Sequence, residues 1–392
     1  MNEINGMPGE YRGGFVKARL LDVEQAERYT LHTRVGDSLA DSLIDALGND
    51  PRGQEWIRRG IEGGPHAIPD APAQVREFFA AIEEVPEWWR PEEALAGCQG
   101  FHRHAVMFLI AFVGAVLIEG FCTLISKSFS ITGRIVDQGV RRLKQNNRQL
   151  IEIFMPGGLE RQSDGWKLSV RIRLVHAQVR SLLSRSEEWD TEAWGTPLSA
   201  AHMGYATASF SGLLLKRVGM LGVQLSKEER ESFMMIWRYS GHLMGVAPEM
   251  LFRDEDDALR IQRIGHLCEP PPGLESCQLA NSLLQAAPIV AGFDKPGQRR
   301  QLVKLMYRTS RALIGDEMAN QLGFPPANTF GTLALISMGN KADQFLQRML
   351  PAIGRWRRTS QFRQMLDLAH YAEKGLGYRI PEELHAERDK PL

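Results

Sequence analysis

Cysteine is scarce: 392 residues contain four, and Cys98, Cys122, Cys268 and Cys277 form no CxxC, no zinc spacing and no CxxCH. A structural zinc site and covalent haem attachment are therefore unsupported, and free thiols in a reducing compartment are the expectation. Neither charge sign prevails. Lys and Arg total 47 against 47 Asp and Glu, interspersed, so the basic footprint of a nucleic-acid binder is missing and that partner class is excluded. There is no GxxxxGK[ST] phosphate loop, no GxGxxG after a strand, no GxSxG elbow and no HExxH, which removes the cheapest signs of four enzyme classes. The start, MNEINGMPGEYRGGF, has no apolar stretch behind a basic one and no twin arginine, so the expected location is cytoplasmic.

Strand alternation is also scarce, and no apolar run reaches membrane-spanning length. The longest, Ala105 to Ile118 (AVMFLIAFVGAVLI), meets Glu119 at once and reads as a buried helix. Continued through Ile125 it could just cross a bilayer with Glu119 inside it, so membrane association stays open without being expected.

What is present is helical periodicity. Asp22–Leu47, Ala73–Glu84, Ala105–Ile125, Gly133–Phe154, Lys167–Ser186, Ser199–Val218 and Lys227–Leu243 carry it or have helix-forming composition. Proline and glycine clusters separate them at Gly63–Pro72, Val85–Pro91, Met155–Gly158, Glu269–Gly273 and Asp294–Gly297. Ser226 with Glu229 predicts a capping box, and Asp22 predicts a helix start. The fold class is all-α, one large helical domain with peripheral helical arms. Residues 1–20, polar and glycine-rich, read as a flexible arm. Residues 21–100 read as a helical extension and 371–392 as a charged tail. The lone ExxH of Glu382 and His385 lies in that tail and lacks the second pair a di-iron bundle needs.

His176 is the most informative residue. In WKLSVRIRLVHAQVRSLL, Leu168, Ile172, Val175, Val179, Leu182 and Leu183 form an apolar stripe, and His176 falls within it. An imidazole there either makes ordinary core hydrogen bonds or binds a metal. Upstream, Arg142 and Asn146 lie four residues apart on one helical face, a cation and a neutral amide pointing the same way. His102 and His104 could face a cofactor or simply begin a helix, and Trp88-Trp89 could line a substrate mouth or pin a loop.

Taken in order, TGR, RRL, PGG, VRIRLVHAQVR, WGTP, FS, WRYSGHLMGV and PEML make the chain resemble the haem-dependent oxygenases related to latex clearing protein and the MpaB-type farnesyl-cleaving oxygenase. The resemblance is clear from Thr132 to Met250 and looser to Gly354. It implies a globin-like core holding haem b, within a catalytic domain spanning 101–370. By it, His176 would be the proximal iron ligand and Arg142 a distal residue that steers substrate or oxygen. Asn146 stands where the family has threonine, and Gln145 where rubber oxygenases can carry an iron-capping lysine. Lys144 lies about 100° round the helix, so no lysine cap is implied. A distal carboxylate base would fall to Glu119, desolvated at the end of its apolar helix, unless that residue forms a plain ion pair. His242 would lie near the porphyrin or bond a neighbouring helix. The activity implied is dioxygen-dependent oxidation or cleavage of a C=C bond in a lipophilic, isoprenoid-like small molecule, with haem b as cofactor. Rubber itself is not expected, because the rubber enzymes are exported. Peroxide-dependent oxidation, hydroxylation, dehydrogenation or a non-catalytic haem or lipid carrier remain open alternatives.

Overall fold

Apolar residues at spacings of three and four become twenty α-helical segments, with no strand among the described residues. The computed structural model describes residues 6–132 and 139–349, with 366–367, 380–381 and 383–384 beyond them. The first half runs α1 (Arg12–Arg19), α2 (Val23–His32), α3 (Ser38–Leu47), α4 (Gly53–Gly63), α5 (Ala73–Ala81), α6 (Ala94–Arg103), α7 (Ala105–Ala111), α8 (Leu117–Phe121), α9 (Ile125–Ile131) and α10 (Gly139–Ile153). The second runs α11 (Asp164–Ser184), α12 (Thr191–Trp194), α13 (Ala200–Ala208), α14 (Leu214–Met220), α15 (Lys227–Leu243), α16 (Glu255–Cys268), α17 (Leu274–Val290), α18 (Pro296–Ile314), α19 (Asp316–Gln321) and α20 (Thr332–Met349). Ser226 and Glu229 form the capping box expected at the start of α15, and Asp22 caps α2 by accepting from Gln25 N.

The centre of the core is a run of aromatic rings. Phe101 stacks on Phe154 at 4.7 Å, Phe154 on Phe233 at 4.6 Å, and Phe108 on Phe233 at 5.2 Å. This run joins α6, α7 and α15 to the end of α10. The domain boundary expected at residue 100 therefore falls inside α6, because Gly97 and Phe101 already pack in the central core. A Cβ on Gly97 would stand 2.7 Å from the Phe233 amide nitrogen, so only glycine allows α6 to lie this close to α15.

Residues 105–118 form α7, a π-helical turn (Phe112–Val116) and the first residues of α8, with most side chains buried among other helices. Among the described residues no single helix is long and apolar enough to cross a membrane; one pair, Pro91–Arg103 with Ala105–Phe121, is so by length and composition, but it is bent by 80°.

The reading of residues 1–20 as a flexible arm is corrected for most of its length. Tyr11, Phe15 and Ala18 are buried, at spacings of four and three, by α1 docking across α2 and α16. So short a helix has little stability alone, and composition cannot reveal its tertiary support. The glycines that suggested disorder are what permit the contact. A Cβ on Gly14 would lie 2.3 Å from the carbonyl oxygen of Leu267 and 2.4 Å from that of Cys268.

Beside this contact lies a buried polar cluster. The Tyr11 hydroxyl and His202 Nε2 are 3.0 Å apart, and His202 Nε2 is 3.2 Å from Glu269 Oε1. Tyr29 donates to Glu269 Oε1 at 2.6 Å, and the Leu124 amide donates to Glu269 Oε2 at 3.1 Å. Burial alone would push the Glu269 carboxyl up. The His202 charge and the hydrogen bonds from His202, Tyr29 and Leu124 outweigh it and hold the group below its ordinary value.

Gly14→Ala is expected to cost about 1–3 kcal/mol of unfolding free energy through overpacking. It should also speed tryptic cleavage after Lys17 and Arg19. Denaturant titration and timed proteolysis measure both, and wild-type behaviour in each would contradict the docking of α1.

Candidate active site

A cavity lies among α8 to α11, α13 and the end of α15, with about 1130 Å³ of atom-free space, part of it open to solvent. Each helix contributes one face. From α10 come Arg142, Gln145, Asn146 and Gln149, at successive spacings of three, one and three. From α11 come Ile172, Val175, His176 and Val179 in the same pattern. Ser128, Phe129 and Thr132 enter from α9 and its C-terminal end, and Met203, Ala206 and Thr207 from α13. His176, Arg142 and Asn146 are thus brought together, as expected from the sequence. Gln145 lines the cavity and Lys144 does not.

The cavity is divided by polarity. The α11 and α13 walls are apolar except for His176 and Thr207, whose hydroxyl is occupied by the Met203 carbonyl at 2.8 Å. The α9 and α10 walls carry hydroxyls, amides and the Arg142 guanidinium. Arg142 is 9% exposed, and its guanidinium carbon stands 3.8 Å from the centroid of the Phe129 ring. A cation held over an aromatic face retains electrostatic stabilisation while largely out of water. Gln149 Nε2 donates to Met244 Sδ at 3.2 Å, which joins α10 to the end of α15.

A π-helical turn shapes another part of the wall. Ser209–Leu213 interrupts the helix between α13 and α14 and packs against the turn at Phe112–Val116, with Phe112 and Phe210 edge to face at 5.4 Å. The wider turn changes the helical phase, and Phe210 lines the cavity.

Behind the cavity, α11 is held against α3 by ion pairs. Arg173 meets Asp37 through Nε at 2.6 Å and Nη2 at 2.9 Å. Arg180 Nε meets Asp41 at 2.8 Å, and Arg180 Nη1 donates to the Leu198 carbonyl at 2.8 Å. Burial pushes the Asp41 carboxyl up by more than Arg180 pulls it down. Arg173, His176 and Arg180 follow one another at spacings of three and four, so the two contacts bracket the imidazole by about a turn on either side. Leu198 lines the cavity at φ +45°, an uncommon conformation for a branched side chain, and Arg180 anchors its carbonyl.

Two expected site residues lie elsewhere. Glu119 receives a hydrogen bond from Arg217 Nε at 3.0 Å and a second from the same guanidinium, and it does not line the cavity. It stands two residues before Phe121, which does, and two residues are about 200° of helix. Burial raises its pKa, opposed by Arg217. His242, expected near a cofactor, is likewise two residues before cavity-lining Met244. Its ring lies 6.3 Å from Trp88 and 6.1 Å from Tyr239. Trp89 stacks on Tyr239 at 4.2 Å, so the tryptophan pair packs this region and lines no part of the cavity. His102 and His104 are also outside it.

Gln149, Phe129, Ser128 and the anchoring function of Arg180 were not read from sequence. Gln149 had a usable signal, since it continues the Arg142–Asn146 face by three residues. Ser128 and Phe129 had none, because they reach the cavity only through the packing of α9.

Arg180→Met leaves Asp41 and Leu198 without their shared partner and is expected to cost about 3 kcal/mol. Arg185 and Asp45, 70% and 64% exposed on the same two helices, supply the control. Arg185→Met should be indistinguishable from wild type in denaturant unfolding, as exposed pairs contribute little. Equal effects of the two substitutions would contradict a specific anchor at Arg180.

Comparison with known proteins places these residues in a family. The rubber oxygenase of Streptomyces sp. (strain K30) is 29% identical over 283 residues, covering 69% of this chain and 64% of that protein. The match thus spans a little under two thirds of that relative's length. The structure of latex clearing protein LCP in the closed state has the same fold, with a TM-score of 0.65 at 19% identity, covering 90% of this chain and 94% of that one. The family model described as "ER-bound oxygenase mpaB/B'/Rubber oxygenase, catalytic domain" matches residues 99–337, more than half the chain and every residue lining the cavity, and the chain belongs to that family.

Proposed function

We propose that the protein is a haem b-dependent oxygenase that uses dioxygen to oxidise or cleave a C=C bond of a lipophilic, isoprenoid-like small molecule. The observation that carries this reading is the donor set of the cavity: one imidazole in an apolar wall, with a guanidinium and amides lining the same space. A metal held by a single protein ligand takes its other donors from water, substrate or a macrocycle, and a haem supplies four of them together. Among the described residues no three of His, Cys, Asp or Glu gather to hold a bare ion. The residues present therefore fit a haem. The family match and the rubber oxygenase relative support the oxygenase chemistry and the isoprenoid class of substrate.

In this reading His176 holds the iron, and the ion pairs of Arg173 and Arg180 limit the rotation of α11 so that the imidazole keeps its aim. The haem, when bound, supplies the activation of dioxygen. Arg142, held by Phe129, offers positive charge where negative charge develops, and Asn146 adds an amide donor one turn along. Ile172, Val175, Val179 and Phe210 exclude water and accommodate hydrocarbon. Glu119, neutralised by Arg217, has no proton-transfer part.

The protein purified with ample haem supply should show a Soret band, and His176→Ala should lose most of the bound haem. Full retention would assign the ligand elsewhere. Arg142→Gln should keep its haem while substrate-dependent oxygen uptake falls about a hundredfold. Product mass under 18O2 reports whether both oxygen atoms enter the product. Haem retention without substrate-dependent oxygen uptake would support the carrier alternative instead.

A further inference from the structure

The α9 and α10 walls present more polarity than a hydrocarbon substrate can use. Arg142, Asn146 and Gln149 lie along one face of α10, and seven residues of helix extend about 10 Å. Dioxygen is a fraction of that length, so one bound molecule cannot contact the whole strip. Beside it, Ser128 lines the cavity and is 1% exposed, and no described residue hydrogen-bonds to its hydroxyl. The neighbouring Thr132 hydroxyl, by contrast, is occupied by the Ser128 carbonyl at 2.7 Å. Gln149 spends an amide N–H on the thioether of Met244, a weak acceptor. A buried hydroxyl without a partner costs free energy, and an oxygen-bearing ligand removes that cost.

We propose that the substrate is an oxygenated isoprenoid, with a hydroxyl, carbonyl or carboxylate end seated against Ser128 and Gln149 and a hydrocarbon tail along the α11 and α13 wall. This rests on the reading of the cavity as an isoprenoid oxygenase site and narrows its substrate class. It assigns Ser128 and Gln149 as specificity-determining residues. The apolar wall accepts any hydrocarbon chain, whereas the polar strip discriminates by what it would leave unpaired.

Equilibrium binding of three matched C10 ligands, myrcene, geraniol and geranic acid, to the haem-loaded protein tests the proposal. Partition from water favours the hydrocarbon, so the comparison is biased against the expected result. At least one oxygenated ligand should bind about tenfold more tightly than myrcene. Ser128→Ala and Gln149→Met should each reduce that preference about threefold or more while leaving myrcene affinity unchanged. Myrcene binding as tightly as both others, no measurable binding of either oxygenated ligand, or variants that weaken all three equally would overturn it. Thermal unfolding of each variant separates lost recognition from lost fold. If the protein takes up no haem, the cofactor reading fails on its own, and the ligand series still reads by titration calorimetry.

Discussion

The cavity depends on the aim of one helix. A helix buried on one face can slide or turn by fractions of a residue unless something directional stops it, and apolar packing is only weakly directional. On α11 the stop is ionic. Arg173 and Arg180 reach across to Asp37 and Asp41, residues one turn apart at the start of α3. Asp37 also caps α3, accepting from Ala40 N, and its own amide donates to Asp41. The carboxylates that receive the arginines are thus themselves fixed by a helix start. His176 lies between the two contacts, and a rotation able to carry it away from the cavity would have to break both. The third pair, Arg185 with Asp45, continues the same ladder into solvent, where water competes for each charge. Similar sequence chemistry therefore has unequal mechanical value, decided by burial.

The same requirement, that buried polar groups be partnered, explains which polar residues face the cavity and which do not. Glu119 is as buried as the cavity residues, but its charge is matched by Arg217, and its backbone carbonyl accepts from Tyr205 at 2.9 Å. It belongs to the support of α8. Thr207 and Thr132 return their hydroxyls to carbonyls one turn back. The Ser128 hydroxyl has no such partner among the described residues, Gln149 gives an amide N–H to the Met244 thioether, and Arg142 lies against the Phe129 ring beside them.

The sequence showed helices, caps and the α10 and α11 faces well, because each is written in residues three and four apart. His176, Arg142, Asn146 and Gln145 were legible for that reason and through the resemblance carried by VRIRLVHAQVR. Glu119 and His242 were each left between a place in the site and an ordinary packing contact, and for Glu119 the structure has the ion pair, with Arg217. Both were chosen as polar residues in apolar surroundings, a pattern that marks burial without direction, and each stands about 200° from a residue that does face the cavity. The π-helical turns were invisible, since one extra residue in a turn leaves no compositional trace. Residues 9–19 were misread because glycine has two meanings. It loosens an isolated chain, and it also lets one backbone lie directly against another, as Gly14 does at the end of α16.

That last contact joins the N-terminal helices to the cavity. Glu269, just past α16, accepts from the amide of Leu124, whose next residue Ile125 lines the cavity. His202, paired with Glu269 and Tyr11, immediately precedes cavity-lining Met203. Two walls formed by α9 and α13 are therefore tied through one carboxylate, and Tyr11 and Tyr29 seal that carboxylate from the outside. Burial pushes both phenols well above their ordinary values, with the Glu269 charge adding to it, so they remain neutral beside the anion. Losing Tyr11 would leave the buried His202–Glu269 pair without one of its hydrogen bonds, and the cost would fall on segments that frame the cavity. The N-terminal helices thus act as part of the cavity's support, although none of their residues lines it.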